Sequence, residues 1–488
     1  RLQHRVFFPS GLHTIRERTM KSQSRASTRK RHDVIVIGGG SAGYAAARTA
    51  RDAGADVAIV DQGPLGGLCI LRGCMPTKAM LRSAEVAALF RRAKEFGLCP
   101  VSAQADLSAI VDRKDRLVRE FADYRIQQLR DPRLTLYQSQ AVFRSPHEIT
   151  VGDTVLSADS FILATGSRPS EVQIPGLTQA GYFTSDTILD LRTQPGSLIV
   201  LGGGAVALEL GQFFARLGTR VTILQRGRTL LSEMDEDVGR SLEASLIDEG
   251  IEVVTGAQWL RVIQGATGKT VWALKDGRER SYVGEQILQA LGRRPNIEGL
   301  SLDLAEVTVD SGRIVVDGMM RTSQVHIYAV GDVNDVSPIV HLAIQQGEIA
   351  GYNATHADQP AKTIDHRLDA EVVFTDPQVA VLGLNETCAR AEEIPYLTAS
   401  YPFIDHGKAL CLGATQGFVK LLAAPQTGEI LGAQIVGPEA GELIHELIAV
   451  MYYHGTAADL MRMPHYHPTL AEIVTYPAES IVERLGIR

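Results

Sequence analysis

Two cysteines with four residues between them are the strongest candidates for chemistry in this chain. Cys69 and Cys74 follow a Gly-Gly pair and precede Pro76, Thr77 and Lys78. One helical turn could close a loop of that size within the Cα–Cα limits of a disulfide. A helix that begins close to Pro76 would also stabilise a thiolate at its N-terminus. The spacing therefore favours reversible thiol–disulfide chemistry.

A structural disulfide, a zinc site and two unrelated buried thiols are the alternatives for this pair. The chain of 488 residues holds five cysteines, namely Cys69, Cys74, Cys99, Cys388 and Cys411. That usage is not a disulfide framework of the secreted type and fits a reducing compartment. Zinc would need two more Cys or His ligands at metal spacing, and the sequence has no such cluster. We expect no metal site, and two unrelated thiols stay open as an alternative.

Exchange between a dithiol and a disulfide also needs a group that takes and returns a proton near neutral pH. Imidazole suits that range. His467 precedes Pro468 and stands five residues before Glu472, so a turn at the proline could return the carboxylate to orient the ring. His465, two residues earlier, is a competing candidate on spacing alone.

The elements that must position these groups include a unit that occurs twice, 164 residues apart. Each copy has a short apolar strand, a glycine-rich turn, a helix and a second strand, which is the dinucleotide-binding βαβ pattern. The key positions are Gly38, Gly40, Gly43 and Asp61 in the first copy, and Gly202, Gly204, Ala207 and Gln225 in the second. One copy alone would be weak, whereas two copies in register predict two dinucleotide sites.

Each small residue in these turns has a physical reason. The first glycine permits the tight turn, the second lets the backbone approach a pyrophosphate, and the third small residue lets helix and strand pack closely. The pyrophosphate then lies at the helix N-terminus, where free N–H groups and the helix dipole favour an anion.

The two copies differ at the end of the second strand, and the difference predicts two different nucleotides. Asp61 can accept hydrogen bonds from ribose hydroxyls, which suits FAD. The second copy has Gln225 and Arg226 there, with Arg228 just beyond, and an arginine suits the 2′-phosphate of NADPH. We therefore expect NADPH rather than NADH in the second unit. The alternative is that both arginines belong to a solvated turn.

Two later apolar strands end in further candidate nucleotide contacts. One, at residues 161–164, runs into Thr165 and Gly166, and the other, at 327–330, runs into Gly331 and Asp332. A carboxylate at the C-terminal end of a strand is well placed to hold a sugar or polyol hydroxyl. Either segment alone would usually be just a turn.

Together these motifs resemble the class I pyridine nucleotide–disulfide oxidoreductases, a family that includes dihydrolipoamide dehydrogenase, glutathione reductase and mercuric reductase. The resemblance spans residues 33–488 and rests on the Cys-x4-Cys segment with Pro-Thr-Lys, both glycine fingerprints, the Ala-Thr-Gly and Gly-Asp segments, and His-Pro-Thr-Leu-Ala-Glu near the C-terminus. It implies an α/β fold with two Rossmann-like dinucleotide-binding domains and a C-terminal α+β dimerisation domain. It also implies a homodimer that binds FAD and either NADP or NAD.

The resemblance implies a role for each matching residue of the thiol site. Cys69 would attack the substrate disulfide, and Cys74 would lie against the flavin as the charge-transfer thiolate. His467 would be the acid–base group, oriented by Glu472, and would serve the disulfide of the partner subunit. The substrate would be a small disulfide or dithiol.

The resemblance also implies cofactor contacts. Lys78 would lie near the flavin N5 and pair with Glu209, and Asp332 would bind the FAD ribitol. Further contacts are expected from Gly67, Thr165, Gly166, Gly292 and Gly331.

Three departures from the family pattern bear on the substrate. Leu68 stands where the family usually has Thr, and Leu71 and Arg72 replace the Asn-Val usual in lipoamide dehydrogenases. Arg72 is closer to glutathione reductases, whereas the C-terminal motif has the lipoamide dehydrogenase form. We rank a dihydrolipoamide dehydrogenase-like enzyme first and an NADPH-dependent disulfide (glutathione-type) or metal reductase second. There are two other hypotheses. One is a diaphorase that reduces quinones without using the disulfide, and the other is an interaction protein without catalytic activity.

The domain prediction follows the motifs. An FAD domain is expected over 33–165 and 290–355, an NAD(P) domain over 166–289, and an interface domain over 356–488. The net charge of −7 gives no reason to expect nucleic-acid binding. No run of about 18 apolar residues is present, so we expect no membrane span.

The first 32 residues differ from the rest of the chain. They carry nine Lys or Arg and a single acid, Glu17. A basic leader rich in Ser and Arg is typical of a mitochondrial transit segment. We favour a disordered or added tail, because the chain does not begin with Met and Met20 is a plausible internal start. The expected location is therefore cytoplasmic, with the mitochondrial matrix as the alternative.

Overall fold

The computed structural model describes residues 28–99, 104–266 and 268–486. Most of the predicted leader, residues 1–27, lies outside the described residues. Its last five residues form the start of the first strand instead of a tail, because they extend the parallel pairing of that strand with residues 154–158. Polar contacts secure the extension: Arg31 binds Asp159 at 2.6 Å, and buried His32 lies 3.0 Å from Asp56.

The first part of the chain builds one α/β sheet. Its strands are β1 (Thr28–Ile37), β2 (Val57–Val60), β3 (Leu134–Tyr137), β4 (Ala141–Ser145), β5 (Glu148–Val151) and β6 (Thr154–Leu163), followed by β7 (Ser167–Pro169). Its helices are α1 (Ser41–Asp52), α2 (Leu68–Leu71), α3 (Cys74–Arg92) and α4 (Leu107–Leu129). The strand order is β3-β2-β1-β6-β5-β4, with β1 parallel to both β2 and β6.

Alternate residues of β1 pack on opposite faces of this sheet. Val36 contacts the cluster that contains Ala46 of α1, whereas Ile35 belongs to a cluster with Phe143 and Phe161. Because both faces are covered, the strand is a continuous apolar run rather than an alternating one. This burial fixes the register of the glycine turn that follows β1.

The second part repeats the same unit. After the short helices α5 (Leu177–Ala180) and α6 (Ser185–Ile188) come β8 (Ser197–Leu201), α7 (Ala205–Arg216), β9 (Arg220–Leu224), α8 (Glu236–Asp248) and β10 (Glu252–Val254). An antiparallel sheet of β11 (Gln258–Gln264), β12 (Lys269–Lys275) and β13 (Arg278–Gly284) follows, then β14 (Gln286–Gln289) and β15 (Arg293–Pro295). The parallel order is β10-β9-β8-β14.

The chain then returns to the first sheet. The elements of this stretch are β16 (Val309–Asp310), β17 (Arg313–Ile314), β18 (Ile327–Ala329) and α9 (Val340–Thr355). Strand β18 pairs in parallel with β6. Helix α9 lies against α1 at glycine positions: a Cβ on Gly347 would overlap the carbonyl oxygen of Ala42, and one on Gly351 that of Ala46.

The C-terminal part is a five-stranded antiparallel sheet with helices on it. Its strands are β19 (Ala370–Val373), β20 (Gln378–Gly383), β21 (Leu397–Pro402), β22 (Phe418–Ala423) and β23 (Ile430–Gly437). Its helices are α10 (Glu386–Ala391), α11 (Gly407–Leu412), α12 (Ala440–Tyr452), α13 (Ala457–Arg462) and α14 (Thr475–Leu485). None of the helices in the described part of the chain has the length and apolarity to cross a bilayer.

Candidate active site

The cysteine segment forms two successive helices with a sharp turn between them. Cys69 lies in α2, and α3 begins at Cys74. The two turns approach closely at Gly73, where a Cβ would lie 3.1 Å from the Cα of Cys69. Thr77 donates its hydroxyl to the Gly73 carbonyl at 2.8 Å and secures the first turn of α3. A side chain at position 73 would push the cysteines apart.

The two cysteines are free thiols that share a hydrogen bond and have unequal acidities. The hydrogen bond from Cys69 lowers the pKa of Cys74 to about 7, and the Lys78 ammonium acts in the same direction against burial. The same hydrogen bond, together with burial, raises the pKa of Cys69. In the reduced pair the negative charge therefore resides on Cys74 near neutral pH.

Lys78 lies one turn after Cys74 and pairs with Glu209 of the second glycine unit. Its Nζ lies 2.9 Å and 3.1 Å from the two carboxylate oxygens, and Glu209 is only 4% exposed. The backbone N–H of Phe374 donates to the same carboxylate at 2.9 Å, and the Lys78 ammonium stands 4.4 Å from the Phe374 ring centroid. Three parts of the chain thus meet beside the cysteines.

A cavity of about 320 Å³ lies at the C-terminal ends of β1 and β2. Its lining includes the predicted cofactor residues Gly38, Gly40, Asp61, Gly67, Thr165 and Gly166. A Cβ on Gly67 would lie 2.7 Å from the Cα of Gly40, so the backbone is bare where a pyrophosphate would approach. Gly43 has the packing role expected of it, since a Cβ there would overlap the Gly38 carbonyl oxygen.

The Asp61 carboxylate is oriented by the backbone on either side of this cavity. It accepts from the N–H groups of Gly39 and Gly63, each at 2.6 Å. A carboxylate has about four acceptor positions, so capacity remains for ribose hydroxyls. Bare backbone, a free helix N-terminus and an acceptor carboxylate are the groups that FAD requires, and the residues present fit it.

The Thr165–Gly166 and Gly331–Asp332 segments, far apart in sequence, meet at the ends of β6 and β18. The Ser167 hydroxyl donates to Asp332 at 2.6 Å, and Thr165 donates to the Asn296 carbonyl at 2.7 Å. Strand β15, which begins directly after Gly292, pairs with β7 here. This is where the chain crosses between the two nucleotide domains.

In the second unit, Gly202 makes the same tight turn, since a Cβ would overlap the Ala290 carbonyl oxygen. Gly204 precedes the helix and Ala207 is fully buried under it. Gln225 folds back, donating to the Thr229 carbonyl at 3.3 Å and accepting from the N–H of Arg226 at 3.1 Å.

Arg226 is exposed and lies 5.9 Å from the ring of Trp259. Within the described residues, neither Arg226 nor Arg228 forms an ion pair with a carboxylate. Two unneutralised guanidinium groups therefore flank the position that a nucleotide 2′-substituent would take.

The structure separates the two candidate histidines. His465 is occupied on both nitrogens, by Glu446 at 2.7 Å and by the Met463 carbonyl at 3.0 Å. His467 turns its Nδ1 to Glu472 at 2.9 Å, while 76% of its side chain is exposed. Its Nε2 has no hydrogen-bond partner among the described residues.

Two site residues have no recognisable signal in the sequence. His406 is fully buried, and its Nε2 lies 3.4 Å from Glu472 without a well-formed hydrogen bond. Arg125 belongs to α4 and stacks on Tyr44 of α1, 4.5 Å from the ring centroid. Each is brought to its neighbours only by tertiary packing. The sequence around each residue is that of an ordinary helix or turn and contains no motif. No trio of His, Cys, Asp or Glu suited to a metal occurs among the described residues.

Two family models together cover most of the chain. The one described as pyridine nucleotide-disulphide oxidoreductase matches residues 32–347. The one described as the pyridine nucleotide-disulphide oxidoreductase dimerisation domain matches residues 370–478.

Similar proteins fall in more than one functional group. A mercuric reductase of Staphylococcus aureus is 33% identical over 430 residues, which are 88% of this chain and 78% of that protein. A dihydrolipoyl dehydrogenase of Bacillus subtilis is 34% identical over 430 residues, 87% of this chain and 93% of that one. The solved HOCl-induced flavoprotein disulfide reductase RclA from Escherichia coli superposes with a TM-score of 0.81 at 25% identity, covering 92% of this chain and 99% of that chain.

Proposed function

The chain belongs to the pyridine nucleotide-disulphide oxidoreductase family, and we propose that Cys69 and Cys74 are the dithiol through which it exchanges electrons with its substrate. As a member it is an NAD(P)-dependent flavoprotein disulfide oxidoreductase that binds FAD, and it carries the dimerisation domain of a homodimer. The observation that carries the proposal is the hydrogen-bonded thiol pair beside the Lys78–Glu209 ion pair.

The cavity at β1 and β2 would hold FAD with the pyrophosphate at the N-terminus of α1 and the adenosine ribose on Asp61. Lys78 would lie at the flavin, with Glu209 fixing its ammonium. FAD, when bound, would supply the two-electron chemistry that links the nicotinamide to the Cys69–Cys74 disulfide. Glu209 is buried and doubly hydrogen-bonded, so the lysine is held in one position.

Substrate reduction then runs through the two sulfurs in turn. The Cys69 thiolate attacks one sulfur of the substrate disulfide, forming a mixed disulfide while the substrate S–S bond breaks and one thiolate leaves. The Cys74 thiolate attacks Cys69, reforming their disulfide and releasing the second substrate thiolate. NAD(P)H supplies the electron pair, and the two leaving thiolates take up two protons.

We assign the proton transfer to His467 of the partner subunit. In one subunit the ring is largely exposed, and among the described residues it is hydrogen-bonded through Nδ1 to Glu472 alone, which leaves Nε2 available. An ionised Glu472 stabilises the imidazolium that forms when His467 takes the proton of Cys69. The dimerisation domain is the part of the chain that presents this ring.

For the substrate we propose a small dithiol or disulfide, with dihydrolipoamide as the first candidate. The His-Pro-Thr-Leu-Ala-Glu segment and the 34% identity to a dihydrolipoyl dehydrogenase support it. NADPH-driven reduction of a disulfide is the second candidate. It is supported by Gln225 and Arg226 at the end of β9. The first unit has the carboxylate of Asp61 at the matching position, which could bind a free 2′-hydroxyl, and the second unit has none there.

The cytoplasm is the proposed location, because five free cysteines without a secreted-type disulfide framework fit a reducing compartment. Fractionation of cells that produce the chain, with activity assayed in each fraction, tests this.

The experiment that tests the mechanism compares Cys69→Ser with Cys388→Ser, a matched change at an exposed cysteine of α10. NAD(P)H-dependent turnover of lipoamide and of glutathione disulfide should vanish in the first variant and persist in the second. Turnover that survives Cys69→Ser would refute the dithiol route. Quinone reduction that survives it while disulfide turnover is lost would identify a separate diaphorase activity at the flavin.

A further inference from the structure

We propose that Arg125 makes the substrate site selective for disulfides that carry an anionic group, such as a carboxylate, within a few bonds of the sulfur attacked by Cys69. This inference rests on the proposed dithiol mechanism and narrows its substrate class.

Arg125 is a cation with no polar partner in the described part of the chain. Its guanidinium lies against the face of Tyr44, and its Nε and one Nη are buried without a hydrogen-bond acceptor. A buried, unpaired guanidinium is costly because it loses hydration without gaining a counter-charge. The cation–π contact with the Tyr44 ring offsets only a modest part of that free-energy cost.

The two least exposed arginines among the described ion pairs are neutralised. Arg216 is 5% exposed and binds both Glu249 and Asp376, and Arg51 binds Asp131 at 2.9 Å. Arg125 differs in that its buried Nε and one buried Nη have no acceptor among the described residues. The acceptor that we propose for them is a group of the bound substrate.

The position of Arg125 connects it to the substrate-facing cysteine. Helix α4, which carries Arg125, packs on α2, which carries Cys69. Burial lowers the pKa of Arg125, and Tyr44 and Cys69 act against that change, so Cys69 is within electrostatic reach. Arg48, the nearby cation, is already paired with Glu348. No carboxylate is among the groups that act most strongly on Arg125.

The chemistry of the guanidinium defines the ligand. Its planar N–H fork matches a carboxylate in a bidentate pair, which is stronger and more specific than a contact from lysine. In the reduced pair the negative charge resides on Cys74, so Cys69 offers Arg125 no charge before its proton is removed. A substrate carboxylate close to the scissile bond supplies the missing charge and orients the substrate disulfide for attack by Cys69.

Three disulfides with the same two methylene groups between each sulfur and its end group differ mainly in charge: 3,3′-dithiodipropionate, bis(2-hydroxyethyl) disulfide and cystamine. With the FAD-loaded enzyme and NADPH, kcat/KM should be about ten- to a hundredfold higher for the dianion than for the neutral compound, and lowest for the dication. In Arg125→Met the ratio of dianion to neutral should fall to about the intrinsic reactivity ratio of the two. In Arg125→Glu the order should invert in favour of cystamine. Arg119→Met, at an exposed position of the same helix, should keep the wild-type ratio.

The outcomes separate this inference from the mechanism it rests on. If the wild type reduces lipoamide but shows no preference for the dianion, or if Arg125→Met lowers all three rates alike, Arg125 is not a selectivity residue and the dithiol mechanism stands. If neither lipoamide nor any of the three compounds is reduced, the proposed function falls and the inference with it. Bound FAD, measured from the flavin absorbance of each variant, confirms that the site remains assembled.

Discussion

The Nδ1 atom of His467 lies 2.9 Å from the Glu472 carboxylate, which is 8% exposed, whereas the ring itself stands largely in solvent. A buried acceptor beneath an exposed imidazole fixes the tautomer that keeps Nε2 unprotonated and outward-facing. His465, two residues away, has no free nitrogen. The two histidines therefore differ in whether a ring nitrogen is left without a partner among the described residues.

Replacing His467 by Gln should lower kcat/KM for disulfide reduction by about 10²–10⁴, the range of a lost acid–base group. Glu472→Gln should lower it less, because an amide oxygen can still accept the hydrogen bond that orients the ring. The matched control is His465→Gln, which should leave kcat/KM nearly unchanged. A wild-type kcat/KM in His467→Gln would show that the proton goes elsewhere.

The buried ring of His406 should make stability depend on pH. Burial lowers its pKa from 6.5, with Glu472 acting the other way. A group whose pKa is lower in the folded than in the unfolded protein favours folding above the unfolded value, and this contribution is lost as pH falls below about 6.5. His406→Phe should flatten the fall in the free energy of unfolding between pH 7 and 5, measured by urea titration. An unaltered slope in that variant would exclude His406 as its source.

Lys420 should be a main support between the NAD(P) domain and the interface domain. The ammonium is buried and binds Asp235 at 2.9 Å and Asp237 at 2.8 Å, with Glu386 at 3.2 Å. Removing one partner of a buried ion pair typically costs about 3–5 kcal/mol. Lys420→Met should therefore lower the free energy of unfolding by roughly that amount, whereas Lys94→Met at an exposed site should change it little.

The same cluster predicts loss of stability in acid. Burial opposes ionisation of Asp235, but its bonds to Lys420 outweigh that cost and hold its pKa at about 2. Its contribution is complete above the ordinary value near 3.8 and disappears as pH falls toward 2. The free energy of unfolding, measured by denaturant titration, should therefore fall less steeply between pH 5 and pH 2 in Asp235→Asn than in the wild type. Parallel curves would contradict the assignment.

Arg226 should set the nicotinamide preference. Arg226→Ala should lower kcat/KM for NADPH by about tenfold or more, as expected for a lost charged hydrogen bond, and should leave NADH nearly unchanged. Arg220→Ala, a change of the same charge at the exposed start of β9, provides the control. A wild type that prefers NADH, with no response to Arg226→Ala, would show that the arginine is only a solvated turn residue.

Most of the fold prediction was based on local sequence patterns. The apolar strands, the glycine turns and the start of α3 at Cys74 all follow from residues close together in the chain. The leader boundary was misplaced at residues 28–32, because those polar residues have no strand pattern. Their extended form depends on pairing with residues 154–158 and on Asp159 and Asp56.

By itself, the sequence determined that this protein has two βαβ units with glycine turns and a Cys-x4-Cys pair at a helix start, because backbone turns, helix starts and strand burial are short-range properties. Only the tertiary structure decided which histidine has a nitrogen without a partner among the described residues, which cysteine holds the charge, and that Arg125 has buried nitrogen atoms without an acceptor there. Those properties depend on hydrogen bonds and burial created by residues tens to hundreds of positions away. No local pattern encodes such contacts, so they appear only when the domains are packed together.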